Sequence, residues 1–174
     1  AGSLEAFGNT RTEERDFFEV RRRAGLAFQD PEDQLFCPTV AEDVAFGPLN
    51  LRVPRDEVAR LVDRSLNMMG LAGFQDRVTW RLSVGEMKRV ALAAVLAMEP
   101  EFLLLDEPTA GLDPGSCRAL IEILQECDKG IVLVSHDTEL IRRLCSRVIL
   151  LGAGGIVEDS GTADIDGIFS RMEG

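Results

Sequence analysis

Phe102-Leu103-Leu104-Leu105-Asp106-Glu107-Pro108 reads as an apolar strand that ends in two carboxylates and a turn. Consecutive apolar residues without polar alternation suit a strand buried on both faces, as in a parallel sheet. Open α/β sheets bind ligands beyond the carboxyl ends of their strands, so the two acids stand where a site belongs. Asp106 offers the hard oxygen that magnesium prefers, and Glu107 is placed to polarise a water for attack on a phosphate. Asp-Glu before a proline can also simply close a strand, so the neighbouring sequence has to discriminate.

Downstream, short apolar strands alternate with helices. Pro114 to Cys127 reads as a helix, Ile131 to Val134 as a strand, and Thr138 to Cys145 as a helix. Val148 to Leu151 and Gly155 to Asp159 read as two further strands. Upstream, Ser83 to Met98 is a long helix. Ser83 and Glu86 fit the S-x-x-E capping box, so Ser83 is the expected N-cap. Pro54 opens another helix, with Val58, Leu61, Val62, Leu66 and Met69 on one face and Gly70 as its stop. A short helix is expected near Thr39 to Phe46, a strand over Ala24 to Gln29, a helix over Thr12 to Arg23 and a strand over Ser3 to Gly8. The pattern predicts a largely parallel α/β sheet covered on both faces, with an all-helical block inserted in it.

Composition narrows the function. The chain has 174 residues, 30 acidic against 19 basic, and a net charge of −11. Such a chain is repelled by nucleic acid in bulk, and no nucleic-acid partner is expected. The longest apolar run, Val90 to Met98, is about half of the roughly 18 residues that suggest a membrane span. Cys37, Cys117, Cys127 and Cys145 contain no C-x-x-C pair, and His136 is the only histidine, so a zinc site is not expected. Free, at least half-buried thiols in a cytoplasmic protein are the expectation.

Around the two acids stand four more stretches. Phe28-Gln29-Asp30-Pro31 ends a strand with an amide, and Leu82-Ser83-Val84-Gly85-Glu86 opens a helix whose N-H groups form an anion site. Pro108 to Pro114 follows the acids at once, and Val132-Leu133-Val134-Ser135-His136-Asp137 ends another strand with the histidine. Together they resemble the nucleotide-binding subunit of ATP-binding cassette (ABC) transporters. In that likeness Gln29 matches the Q-loop, Leu82 to Glu86 the signature, and Leu105-Asp106-Glu107 the end of Walker B. Ala110 to Asp113 matches the D-loop and His136 the switch histidine. Phe28 to Phe36, Val40 to Pro48 and Leu96 to Pro100 are similar to the energy-coupling-factor branch, whose ATPases drive uptake of cobalt, nickel and vitamins.

The resemblance implies a P-loop NTPase-like fold. Residues 1–174 then form one partial ABC ATPase domain, with 40–98 as the helical signature subdomain and 1–39 and 99–174 as the α/β core. It implies ATP and Mg²⁺ as cofactors, sandwiched between two ATPase subunits. Asp106 and Gln29 would serve the magnesium, Glu107 would orient the attacking water and His136 would contact the γ-phosphate. Ser83 and Gly85 would bind phosphate in the partner's pocket, and Asp113 would cross the dimer seam. A transmembrane coupling subunit would dock near Asp30, Glu32, Asp33, Phe36, Glu42, Asp43 and Phe46, where no basic residue occurs between Arg23 and Arg52. The protein would then lie on the cytoplasmic face of the membrane through that partner.

Three departures accompany the likeness. Val84 stands where the signature has its first glycine, and Glu86 where it has glutamine. No G-x-x-x-x-G-K-[ST] stretch occurs: the two lysines, Lys88 and Lys129, follow no glycine-rich loop. The sequence thus looks like a family member lacking its front end. Residues 1–174 alone are expected to bind ATP weakly without turnover. Strands Phe102 to Leu105 and Ile131 to Val134 are expected to have an unpaired neighbour position. Two other readings stay open: a non-catalytic module keeping the trans signature and docking surface, and a chromosome-maintenance ATPase half-head. The second fits less well, because Gln29 is present and no sustained heptad run occurs.

Overall fold

The computed structural model describes residues 3–152, 154–162 and 165–172. A hairpin of β1 (Leu4–Ala6) and β2 (Asn9–Arg11) leads into α1 (Phe17–Arg23) and β3 (Ala24–Ala27). Three helices follow: α2 (Val40–Asn50), α3 (Arg55–Met68) and α4 (Val84–Leu96). Then come β4 (Phe102–Asp106), α5 (Pro114–Gln125), β5 (Gly130–Val134) and α6 (Thr138–Leu144). β6 (Arg147–Gly152), β7 (Gly155–Gly161) and α7 (Ile165–Met172) complete the order.

Local chemistry explains the boundaries. Thr39 caps α2, and Ser83 caps α4 through the expected box with Glu86. Gly70, at φ +66°, ends α3 in the left-handed conformation that glycine adopts without strain. The helix expected over Thr12 to Arg23 starts later, at Phe17. The Asp16 carboxylate accepts from the Thr12 and Glu13 N-H groups at 3.0 Å each and holds that segment in a 3₁₀ turn. Asn9 to Arg11, not expected as a strand, pairs back on Leu4 to Ala6 across the Phe7-Gly8 turn.

β3, β4 and β5 form a parallel sheet with β4 in the middle, and β6 and β7 form a separate antiparallel ribbon. β4 therefore has both neighbours, contrary to the expectation for Phe102 to Leu105. Among the described residues β3 and β5, the two outer strands, each pair on one side only. In register, Gly25, Leu103 and Ile131 share one face, with Ala27, Leu105 and Leu133. Leu103 and Leu105 are buried there beside Val95, Leu120 and Leu124. Gly25 is demanded by this packing: a Cβ would run into Val95 of α4 and crowd Pro100. The opposite face carries Leu26, Leu104 and Val132, and Val132 is 54% exposed. The expectation of a sheet covered on both faces is corrected: one face is covered. Continuous apolarity states what a strand needs, and the cover has to come from elsewhere.

Candidate functional site

The backbone turns sharply where β4 ends. Glu107 sits at φ +42°, unusual for a side-chain-bearing residue and more so before a proline. Its N-H bonds Val134 O of β5 at 2.9 Å, and its own carbonyl accepts from Ala110 N at 3.1 Å. This turn brings the Glu107 carboxylate across the end of β5. One oxygen accepts from His136 N at 3.0 Å and lies 2.7 Å from His136 Nδ1. The other accepts from Ser135 Oγ at 3.1 Å. The carboxylate is largely shielded while the imidazole is open to solvent. The hydrogen bond to Glu107, and behind it the carboxylate charge, raises the His136 pKa above its ordinary 6.5. The sequence gives Glu107 and His136 separate roles, on the water and on the γ-phosphate, and singles out no role for Ser135.

Gln29 and Asp106 line one open cavity of about 600 Å³, together with Asp30, Val84, Lys88 and Gly111. A carboxylate and an amide oxygen lining one cavity are hard donors that fit a magnesium ion. Among the described residues no cluster of three or more His, Cys, Asp or Glu side chains could cage a metal. An ion in this cavity would complete its shell with water and phosphate oxygens, as magnesium does. Lys88, absent from the sequence-based site, is buried on α4, and its Nζ donates to Glu107 O at 3.1 Å and Pro108 O at 3.4 Å. Burial pulls its pKa down. The signal was available: Lys88 shares a helix face with the apolar Ala91, Leu92 and Val95.

The signature side chains are committed locally. Ser83 Oγ donates to Glu86 Oε2 at 2.8 Å and accepts from Glu86 N at 3.3 Å. The Ser83 N-H and hydroxyl hold the Glu86 carboxyl below the usual range. Glu86 thus puts a negative charge at the helix N-terminus where an anion would sit. Gly85 faces Leu112 and Ser116, at distances a Cβ would tolerate. Asp113 caps α5, accepting from Gly115 N and Ser116 N at 2.9 and 3.1 Å, and is otherwise exposed.

Of the expected docking residues, Asp30, Glu32, Asp33, Phe36, Glu42 and Phe46 are exposed. Phe36 and Phe46 meet edge to face with ring centroids 4.7 Å apart. Asp43 is a correction. It is 4% exposed and accepts from Phe36 N, Cys37 N and Thr79 Oγ1 at 2.9–3.0 Å. It staples the Phe36 loop to the segment before Ser83 and presents nothing to a partner. Asp43→Ala would orphan these three donors in a buried site. A loss of about 2–4 kcal/mol in folding stability is expected from urea denaturation. A change below about 0.5 kcal/mol, the range of ordinary surface substitutions, would contradict that role. The four cysteines are free and half-buried. Burial, with the Asp43 charge, pushes the Cys37 thiol up to about 11.

Comparison with known proteins places these features in a family. The family model described as "ABC transporter" matches residues 1–110. A putative ABC transporter ATP-binding protein of Streptomyces coelicolor is 50% identical over 151 residues, 87% of this chain and 58% of that protein. The energy-coupling factor transporter ATP-binding protein EcfA of Methanothermobacter thermautotrophicus is 44% identical over 153 residues, 86% of this chain and 49% of that protein. The chain thus spans about half to three fifths of the length of these relatives. Among solved structures, cbiO1 of Clostridium perfringens, part of the ABC transporter complex cbiONQ, superposes with a TM-score of 0.80 at 34% identity. That match covers 92% of this chain and 66% of cbiO1. An ATP-binding cassette solved as a dimer with ADP and Pi gives the same TM-score at 25% identity, covering 93% and 74%.

Proposed function

Since the chain belongs to the ABC transporter family, we propose that it serves as the ATP-binding and ATP-hydrolysing subunit of an energy-coupling importer for a metal ion or vitamin. The observation that carries this reading is the convergence of Glu107, Ser135 and His136 at the strand ends, beside a cavity lined by Gln29 and Asp106. Likeness to EcfA and to cbiO1 supports the branch.

Asp106 and Gln29 would hold Mg²⁺, which when bound neutralises charge on the phosphates. Glu107 accepts the proton of the attacking water, and its fixed bonds to Ser135 and His136 leave its orientation no freedom. His136, protonated or as a neutral donor, contacts the γ-phosphate from its open side. Ser83 and Gly85 serve the pocket of a second ATPase subunit, and Asp113 lies at the seam. Glu86 must yield to the incoming phosphate there, because both compete for the same N-H groups.

The Phe36–Phe46 pair, in a stretch that also exposes Asp30, Glu32, Asp33 and Glu42, receives a basic helix of a transmembrane subunit. In this reading the protein lies at the cytoplasmic membrane face through that partner. No helix among the described residues is long and apolar enough to cross a membrane.

The test is phosphate release from Mg-ATP by the protein assembled with its membrane partner. Turnover stimulated by the partner is expected. Phe36→Ala with Phe46→Ala is expected to remove that stimulation while leaving the melting temperature within a few degrees. An assembled complex that releases no phosphate would overturn the reading, and stimulation untouched by the double substitution would remove the docking assignment.

A further inference from the structure

We propose that Lys88 is a positioning residue for hydrolysis: its ammonium group holds the Glu107–Pro108 turn and thereby aims the Glu107 carboxylate. The inference rests on Glu107 being the residue that orients water.

A buried ammonium is retained only when its hydrogen bonds are satisfied. Lys88 is 6% exposed, and its partners are two backbone carbonyls, Glu107 O at 3.1 Å and Pro108 O at 3.4 Å. Among the described residues it forms no ion pair within 4 Å. One side of Lys88 lines the cavity with Gln29, Asp30 and Asp106, and on the other α4 turns Ala91, Leu92 and Val95 to the core. What the cation adds is specific to the turn. Glu107 sits at φ +42° immediately before a proline, so its conformation depends on outside anchors. Two anchors come from the strand layer and the turn itself, Glu107 N to Val134 O and Ala110 N to Glu107 O. The third, from Lys88, comes from the helical layer.

The geometry also joins two parts of the site. Lys88 stands five residues after Ser83 on the helix that Ser83 caps. A displacement of the α4 N-terminus on meeting a phosphate therefore pulls on the carbonyl of Glu107. Its carboxylate is held at the other end by Ser135 and His136. Lys88 lines the cavity with Gln29 and Asp106, but its Nζ is committed to the two carbonyls. It acts through Glu107.

The test uses the complete protein assembled with its partners, with Lys88→Met, Lys88→Gln and Lys88→Arg compared against Glu107→Gln. Misplacing a catalytic group by about 1 Å costs on the order of 100-fold. Lys88→Met is therefore expected to lower kcat by roughly 10- to 100-fold with KM for Mg-ATP changed less than about threefold. Lys88→Arg, which keeps charge and donors, is expected to restore most of kcat, and Lys88→Gln to fall between. In the Glu107→Gln background, Lys88→Met is expected to add almost nothing, because both act through one group. Three outcomes overturn the proposal: wild-type kcat in Lys88→Met, Arg no better than Met, or a loss that multiplies fully with Glu107→Gln. Unimpaired turnover in Glu107→Gln alone instead overturns the assignment of Glu107, and this inference with it.

Discussion

Glu107→Gln is expected to lower ATP turnover of the assembled protein by on the order of 10²–10⁴-fold, the usual contribution of a positioned general base. ATP binding should remain. The amide has the shape of the carboxylate and keeps one oxygen, so one of the acceptor contacts to Ser135 and His136 survives. What is lost is the ability to take the proton of the attacking water. The same substitution reports on His136. The Glu107 hydrogen bond and charge raise the histidine pKa above 6.5, so His136 keeps its proton to higher pH than a free imidazole. Any stability from the pair is fully present below the unfolded value, about 6.5, and lost as pH rises through the raised midpoint. In Glu107→Gln the midpoint should fall back toward 6.5. His136 is the only histidine of residues 1–174, so NMR of that polypeptide follows its imidazole without assignment. Unchanged turnover, or an unmoved midpoint, would mean that Glu107 neither orients water nor faces His136 in solution.

The parts of the site legible in the sequence were those whose chemistry is local. The Ser83–Glu86 box spans three residues, and the strand-terminal Asp106-Glu107 needs only the apolar run before it. Asp43 failed for the opposite reason. Among neighbouring acids it reads as one more exposed carboxylate, and only the fold brings Thr79 to it from 36 residues away. Lys88 follows no glycine-rich loop, so its sequence shows no phosphate role, and its partners are carbonyls 19 and 20 residues on. For the sheet, apolar runs gave β4 and β5 within a residue or two. They did not give the order of pairing, which puts β4 in the centre and leaves β3 and β5 as the edges, with the exposed valines on β5.

That β5 edge carries the second large effect. A polypeptide of residues 1–174 purified alone is expected to self-associate at micromolar concentration. Val132 and Val134 on β5 are 54% and 61% exposed, and Leu26 on β3 is 44% exposed. On the separate ribbon Leu151, Ile156 and Val157 are 72%, 64% and 65% exposed. Single exposed apolar residues are ordinary, but a row of them along an unpaired strand edge is a template for another chain. The net charge of −11 opposes association only at range, since at 0.15 M salt the screening length is about 8 Å. Close strand pairing escapes most of that repulsion. Light scattering should find oligomers, and Val132→Thr with Val134→Lys, which places a charge on the edge, should shift them toward monomer. The helical block from Val40 to Leu96 buries Val40, Val44, Val58, Val62, Leu66, Met69 and Val90, in a core continuous with Leu103 and Leu105 of β4, so it should hold its amide protons longest in hydrogen exchange. A monodisperse monomer with a single sharp reversible melt would refute the prediction. It would mean that β5 and the β6–β7 ribbon cover one another in solution.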